Sequence, residues 1–473
     1  ALFFSRLNRN VLRDERVRVV INDGRNMLRL MPDTYDVIIS EPSNPWMAGV
    51  ANLFSYEHYQ TMRSRLNPDG VVCQWLHAYS MSPEDLKMIV RTFTLVFEDV
   101  SLWAAYYPDL MLIGRREARP VDFRHIRNSF RNPVVRGDLW PHGVRRPEGF
   151  FASFWLGDAD LRRLGEGARV NSDNHPYLEF SAPRYLYRDT AMDNFTMLNI
   201  YRREEYPAIA HLYPPVERNT AFYDAVARAL IGQRLYDRAE RFLERSNEIR
   251  PGHAEYLELA GRAQFERGNP AAAEEFLSRA VAVRPESAEA RLFLGRILAR
   301  KGENEKAREH LQKAVALSPR DLPSLLVLAE FLAETGDARR AISFYGRFLA
   351  LRHGRDFSVV NKMAEAAAKS GDLPRLWVFS RILFRNYPRF VPAYERLGGE
   401  LEAKGLYREA VNVYRILAGT LPRESAAYIN LARAYERMGQ LASSREALSQ
   451  AMRLDPTLAK NPAFARVLEQ LNR

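Results

Sequence analysis

Tyr35-Asp-Val-Ile-Ile-Ser-Glu-Pro-Ser-Asn-Pro-Trp46 carries an apolar run, Val37 to Ile39, that ends abruptly in a carboxylate, two prolines and an amide. A buried parallel strand ending this way delivers polar groups to the carboxyl edge of an α/β sheet, where such folds bind ligands. Upstream, Arg16 to Asn22 reads as another strand, closed by Asp23 and Gly24 and followed by a short helix. Downstream, Leu53 to Leu66 reads as helix, Asn67-Pro-Asp-Gly70 as a turn, and Val71 to Leu76 as a third strand. Pro83 to Phe97 is a helix with Ser82 as its N-cap. Ser101–Tyr106 and Leu110–Ile113 form a hairpin. Alternating strands and helices predict a mostly parallel sheet. Arg119 to Glu166 has little pattern and reads as a small lid or insertion, and Asp189 to Arg218 as a mixed helical linker.

A chain of 473 residues is too long for one core, so two or three domains are expected. Its 47% hydrophobic and 27% charged content fits a water-exposed globular protein. No apolar stretch is long enough to span a bilayer, and no leader pattern opens the sequence. A chain beginning Ala1-Leu-Phe-Phe, without Met, is expected to be a fragment or a processed product. Cys73 is the single cysteine, which excludes a disulfide framework and a cysteine-based metal site. No metal site is expected. Residues 1–200 carry 25 basic and 24 acidic residues, so nearly all of the net charge of +11 falls in the remainder. There it is dispersed along helices, which argues against a nucleic-acid stripe.

That remainder is periodic. Pro251, Pro285 and Pro319, then Pro388, Pro422 and Pro456, recur at a spacing of 34, with a gap of 69 between the two sets where His353 takes the skipped place. Gly268, Gly302, Gly336, Gly371, Gly405 and Gly439 keep the same beat. Small or apolar residues follow five places later: Ala273, Ala307, Ala341, Leu376, Ala410 and Ser444. Each unit is two short helices. The glycine ends the first, the alanines let the pair approach, and the proline stops the second. One such unit cannot bury its apolar face alone, so several must stack. Seven units are counted between Thr220 and Leu458; the first is weak, because Arg234 stands where the glycine belongs. Asn461 to Arg473 reads as a capping helix.

This pattern resembles the tetratricopeptide repeat family. The resemblance implies an all-α solenoid that binds a protein partner on a concave surface built from the first helix of each unit. That family's clamp for a terminal carboxylate pairs Lys with Asn at the matching places; these hold Glu258, Leu292 and Asn361 among others, and the pairing does not appear. Arg262, Arg296 and Arg300 are the candidates for meeting an acidic partner, the alternative being ordinary solvated helix charge.

The first part bears a second resemblance. Val-Val-Ile-x-Asp-Gly, then Tyr-Asp-Val-Ile-Ile, Asn-Leu-Phe-Ser-x-x-x-Tyr and Asn-Pro-Asp-Gly-Val-Val-x-Gln, over residues 15–115, resemble the spermidine/spermine synthases, the aminopropyltransferases. Asn171-Ser-Asp-Asn-His-Pro-Tyr-Leu-Glu-Phe-Ser-Ala-Pro-Arg184 resembles the tail of bacterial synthase-like proteins that often carry membrane helices ahead of this domain. The resemblance implies a Rossmann-like, methyltransferase-type sheet of order 3-2-1-4-5-7-6 and decarboxylated S-adenosylmethionine as co-substrate. It places Asp23, with Gly24, against the adenine, and Glu41 at the position that accepts a proton from, or orients, the attacking amine. It places Asn44 where a second acid holds a diamine, and Gln74 at the end of the next strand, facing the same cleft. Trp46 offers a flat apolar or cation–π surface, or simply packs. His77 is read as a structural histidine, with a base as the alternative.

Two departures follow. Glu41 is one methylene longer than Asp, and Asn44 lacks the second charge, which predicts weak binding of putrescine. No glycine-rich loop precedes Asp23, and strands one and two of the sheet are absent. Either the parent chain is longer, another chain supplies the strands, or the two orphaned strands pair directly. The expected organisation is a synthase-like domain over residues 1–188, a linker over 189–218, a repeat array over 219–458 and a cap over 459–473. The function expected is a polyamine aminopropyltransferase-related protein with a protein-binding scaffold. The alternatives are a non-catalytic assembly protein and an S-adenosylmethionine-dependent methyltransferase. Contact with a membrane is expected only through a segment outside this chain, and the compartment is left between cytoplasmic and membrane-associated.

Overall fold

A computed structural model describes residues 10–42, 44–352 and 356–460. The expected capping helix at Asn461–Arg473, the opening Ala1-Leu-Phe-Phe and His353 lie outside the described residues. The chain divides into two compact units, Ala1–Pro251 and Gly252–Arg473.

The first unit opens with α1 (Gly24–Leu30), β1 (Tyr35–Ser40), α2 (Tyr56–Ser64), β2 (Leu66–His77) and α3 (Pro83–Thr94). The hairpin β3 (Asp99–Tyr106) and β4 (Asp109–Arg115) comes next. Then follow β5 (Val121–Asp122), α4 (Phe123–Ser129), α5 (Pro133–Leu139), β6 (Phe154–Leu156), α6 (Asp158–Leu164), α7 (Tyr177–Ser181), α8 (Ala191–Tyr201) and β7 (Ile209–Ala210). The helices α9 (Thr220–Gly232) and α10 (Tyr236–Ile249) end the unit.

The main sheet has the order β1-β2-β4-β3-β6. Its first four strands reproduce the 4-5-7-6 end of the order the resemblance implies. Among the described residues of this sheet only the β1–β2 ladder is parallel; β2–β4, β3–β4 and β3–β6 are antiparallel. The expectation of a mostly parallel sheet is therefore corrected. The tight Tyr107-Pro108 connection forces β4 back along β3, and β4 then inserts between β3 and β2. The core lies on the side covered by α2, α3 and α6, where Val72, Leu76, Leu86, Ile89, Phe93, Leu102, Leu112 and Leu161 pack together. Ser82 caps α3 as expected, its hydroxyl accepting from the Asp85 amide at 3.0 Å. Gly114 is required on β4: a Cβ there would lie 2.6 Å from the Phe97 ring and 2.7 Å from the Phe93 ring.

Besides Asn67–Gly70, which lies within β2 and does not form the expected turn, three readings of this half change. Arg16–Asn22 is not a strand: it makes no ladder, and its apolar side chains are exposed, Ile21 at 98%. A β-branched run becomes a strand only when an edge is there to pair with it. Direct pairing of the two orphaned strands is thereby overturned, and among the described residues nothing pairs with the outer edge of β1. Val37 and Ile39 stand 53% and 70% exposed on it. Secondly, Arg119–Glu166 is no mere insertion, since it supplies β6 to the sheet and α6 to the core. Thirdly, the stretch read as a linker holds α8, whose Phe195 and Leu198 join the same core.

The helices α9 and α10 form the weak first repeat. Arg234 follows α9 with φ at 63°, so an arginine takes the left-handed conformation that glycine takes elsewhere. Gly143 and Gly232 let the backbones of residues 142–143 and α9 meet, a Cβ on Gly232 lying 3.1 Å from the Gly143 Cα. Arg238 of α10 donates to the carbonyls of Ala152 at 3.2 Å and Phe154 at 2.8 Å, and its guanidinium lies 4.8 Å from the Trp155 ring centre. The first repeat is thus built into the sheet-bearing unit.

Among its described residues the second unit holds six further helix pairs: α11 (Ala254–Glu266) with α12 (Pro270–Val283), α13 (Ala288–Arg300) with α14 (Asn304–Leu317), α15 (Leu322–Glu334) with α16 (Ala338–Leu351), α17 (Phe357–Lys369) with α18 (Leu373–Asn386), α19 (Val391–Ala403) with α20 (Tyr407–Thr420), and α21 (Ser425–Arg437) with α22 (Leu441–Leu454). The glycine two residues past each first helix has φ between 67° and 89°. The small positions Ala273, Ala307, Ala341, Ala410 and Ser444 are buried, as is Leu376. No helix among the described residues is long and apolar enough to cross a membrane.

Candidate active site

The parallel ladder of β1 on β2 pairs Ile39 with Cys73 and Ser40 with Gln74. The next ladder pairs Cys73 with Ile113, Trp75 with Met111 and His77 with Asp109. Side chains alternate along a strand, so Ile39, Cys73, Trp75, His77, Met111 and Asp109 share one face, and Gln74 shares the other with Val72, Leu76 and Leu112. Burial agrees, with Gln74 fully buried and Cys73, Trp75 and Met111 half-buried. Gln74 is therefore not brought to the cleft beside Glu41. Its amide donates to the carbonyl of Trp75 at 3.1 Å and, more weakly, to that of Ser40 at 3.4 Å, while its own oxygen is buried without a partner.

Glu41 follows Ser40 at the end of β1 and is exposed. Burial first, and the Glu41 charge second, raise both the Cys73 thiol and the Asp109 carboxyl above their ordinary values. The Glu41 charge is thus felt at Asp109, which its pairing with His77 places at the carboxyl end of β2. Trp46 is half-buried and stands edge-on to His77, ring centres 4.7 Å apart at 79°, and 6.3 Å from Tyr79. His77 in turn lies 4.8 Å from Tyr79 and 5.3 Å from Trp75. His77 is 1% exposed, neither ring nitrogen finds a partner, and burial pushes its pKa down to about 4. It is neutral at pH 7 and adds no positive charge to the site. Burial, then Asp109, raises the Tyr79 hydroxyl.

Two clamps hold this cluster. The loop after β2 is pinned by Ala78 N–H on the Pro108 carbonyl at 3.0 Å and by Ser80 N–H on the Arg188 carbonyl at 3.1 Å. The Asn194 amide of α8, fully buried, donates to Ala78 O at 2.7 Å and Met81 O at 2.8 Å. The loop after Trp46 is pinned by Gly49 N–H on the Glu179 carboxylate at 2.9 Å. Just beyond it, the Asn171 amide donates to Ala51 O and Phe54 O, each at 3.2 Å. The Asn171–Arg184 motif therefore acts as a brace for the loop that carries Trp46. Asn44 is half-buried in that loop, in a turn closed by Met47 N–H on its carbonyl at 3.0 Å.

The nucleotide side is less built. Asp23 caps α1, its carboxylate accepting from the Asn26 amide at 2.7 Å, and Gly24 opens the helix into free space. The exposed Val17–Ile21 stretch before them supplies no wall. The residues described here do not by themselves enclose a nucleotide. No group of three or more candidate metal ligands occurs among the described residues.

In the array, Arg262 pairs with Glu266 at 2.8 Å and Glu289 at 2.9 Å. Arg296 lies over Phe265 at 4.6 Å and Phe293 at 5.4 Å, and Arg300 over Phe265 at 4.9 Å. The structure thus turns the Arg262 charge onto carboxylates of the array itself and lays Arg296 and Arg300 on its own rings. The sequence reading passed over Asp109, Tyr79 and Asn194. The signal for Asp109 was its place at the start of the second hairpin strand, beside the end of the strand that carries Gln74.

Residues 2–114 match the family described as Spermine/spermidine synthase domain, and residues 225–282, 259–321 and 425–458 match families described as Tetratricopeptide repeat. The polyamine aminopropyltransferase of Synechococcus sp. is 38% identical over 99 residues, 20% of this chain and 31% of that protein. That of Aeropyrum pernix is 32% identical over 196 residues, 40% of this chain and 57% of that protein. The chain thus spans about a third of the first relative and just over half of the second. Among solved structures, the C-terminal part of a TPR repeat-containing protein from Cytophaga hutchinsonii covers 52% of this chain and 99% of its own, at 14% identity and a TM-score of 0.41. A tetratricopeptide repeat protein from Parabacteroides merdae covers 54% and 99%, at 12% identity and a TM-score of 0.33. The chain joins a spermidine synthase-like domain at its N-terminus to tetratricopeptide repeats in its C-terminal region.

Proposed function

We propose that the synthase-like domain binds an amine at the carboxyl edge of β1 and β2, as the acceptor side of an aminopropyltransferase site, and that the repeats engage a protein partner. The observation that carries this reading is the carboxyl edge of β1 and β2, where Glu41 follows β1 and Asp109 pairs with His77 of the Trp46–His77–Tyr79 rings, inside the span that matches the synthase family. An aliphatic amine is a cation at neutral pH and must shed a proton before it can attack. A carboxylate at the strand edge attracts the cation, orients it and accepts that proton. Glu41 holds this role, and Trp46 lines the approach with a flat apolar surface.

The relatives named polyamine aminopropyltransferase make decarboxylated S-adenosylmethionine the co-substrate on this reading, with Asp23 and Gly24 on its side. A completed nucleotide site would require a wall that Val17–Ile21 does not provide. The non-catalytic reading rests on that same observation, together with the uncharged Asn44. An assay for methylthioadenosine separates the two: the chain is incubated with decarboxylated S-adenosylmethionine and a panel of amines. Product supports transfer. Amine binding without product leaves the domain as an amine-binding platform, and neither binding nor product ends the proposal.

A further inference from the structure

The resemblance assigns the second amine-holding acid to position 44, where this chain has Asn. The structure brings another carboxylate to the same edge from a different element. Asp109 opens β4 and is paired in register with His77, the last residue of β2. It lies on the face of the sheet that carries Cys73 and Trp75, the face Glu41 adjoins. Its neighbourhood is furnished for a cation. Trp46, Trp75, His77 and Tyr79 cluster within 6.3 Å of one another by successive ring contacts. Aromatic faces hold ammonium groups and their methylenes. His77 is buried and neutral, and both its nitrogens lack a partner, so polar capacity is left open beside Asp109.

We propose that Asp109 is the second carboxylate of the amine site and, in place of Asn44, holds the far ammonium of a diamine. This rests on the amine-binding reading above. The two acids stand on strands two apart in the sheet. One residue past the Ser40–Gln74 pair on β1 and the His77–Asp109 pair on β4 are separated by about 10 Å across the sheet and about 7 Å along it, so their Cα atoms lie roughly 12 Å apart. With both carboxylates standing on the same face, that span is one a short aliphatic diammonium bridges, one end on each carboxylate. A monoamine satisfies only one of them. Burial raises the Asp109 carboxyl, and Glu41 beside it raises it further. A second ammonium relieves both effects, which gives the site a reason to prefer a dication.

Calorimetric titration of the full chain with putrescine and with butylamine tests this, using wild type, Asp109→Asn and Asp109→Glu. Wild type binds putrescine more tightly than butylamine. Asp109→Asn loses about tenfold in putrescine affinity, the value of one charge-assisted contact, and leaves butylamine unchanged. Asp109→Glu, which keeps the charge, restores most of the preference even if Asp109→Asn melts at lower temperature. Equal loss for both amines, or no loss for either, overturns the role of Asp109 while the amine site at Glu41 stands. A wild-type chain that binds neither amine overturns the reading on which the proposal rests.

Discussion

The sheet domain and the repeat array are held together over different distances along the chain. In the array, the polar ties between pairs span 26 residues for Arg284 on Glu258 and 35 for Arg396 on Asn361. In the sheet domain, Asn171 reaches back 120 residues to Ala51, Asn194 116 to Ala78, and Arg25 forward 148 to Asp173. The array is a sum of neighbours, and damage there stays close to where it is made. The sheet domain is a single network, in which the brace of one loop lies far along the sequence. The candidate site belongs to the second kind: β1, β2, β4, α8 and the Asn171 motif each supply part of it.

Truncating one buried leucine in each region sharpens this contrast most. Leu102 of β3 and Leu328 of α15 are both fully buried, and either change to Ala costs about 2–5 kcal/mol. In hydrogen exchange, Leu102→Ala should raise rates across the whole sheet together with α3 and α6. Leu328→Ala should raise them in α15, α16 and the pairs beside them only. Uniform loss of protection along all six pairs of the second unit would break the comparison.

Acid separates the regions next. His58 and His77 of the first unit are buried, and burial pushes both pKa values down to about 4 from 6.5. The fold therefore favours their neutral forms. The stability this represents is fully present above pH 6.5 and is lost as pH falls from 6.5 to 4, up to about 3 kcal/mol for each histidine. Trp46, Trp75, Trp103, Trp140 and Trp155 lie in the first unit and Trp377 alone in the second. Tryptophan fluorescence during urea unfolding thus follows chiefly the first unit. Its midpoint should drop between pH 6.5 and pH 4.5, and a constant midpoint would show that the two histidines titrate alike folded and unfolded.

The smallest effect sits at the first helix pair. Arg234→Gly removes the cost of a left-handed arginine and should stabilise the first unit by about 1 kcal/mol, less what glycine adds to the freedom of the unfolded chain. A lowered melting temperature would mean that the arginine side chain contributes more than its backbone costs.

The same contrast decides what could be read from the sequence. Each glycine, proline and small residue of the array does its work within its own repeat, so spacing alone located the helices and their ends. Even Arg234, which broke the pattern, kept the conformation the pattern demands. In the sheet domain, Val71–Leu76, the hairpin and the Ser82 cap were legible because each depends on local pattern. Arg16–Asn22 was misread because its alternation is that of a strand, but strand formation needs an edge to pair with. Gln74 was misplaced because alternation along β2 turns it onto the buried core face, away from Glu41. Asp109 went unseen because nothing near it in sequence is catalytic; the β2–β4 register brings it to the site.

Titration of wild type and Glu41→Gln with putrescine, followed by calorimetry at pH 7, tests the central claim most directly. The account predicts saturable binding to wild type and at least about tenfold weaker binding to Glu41→Gln at an unchanged melting temperature. Equal affinity in the two proteins would contradict it.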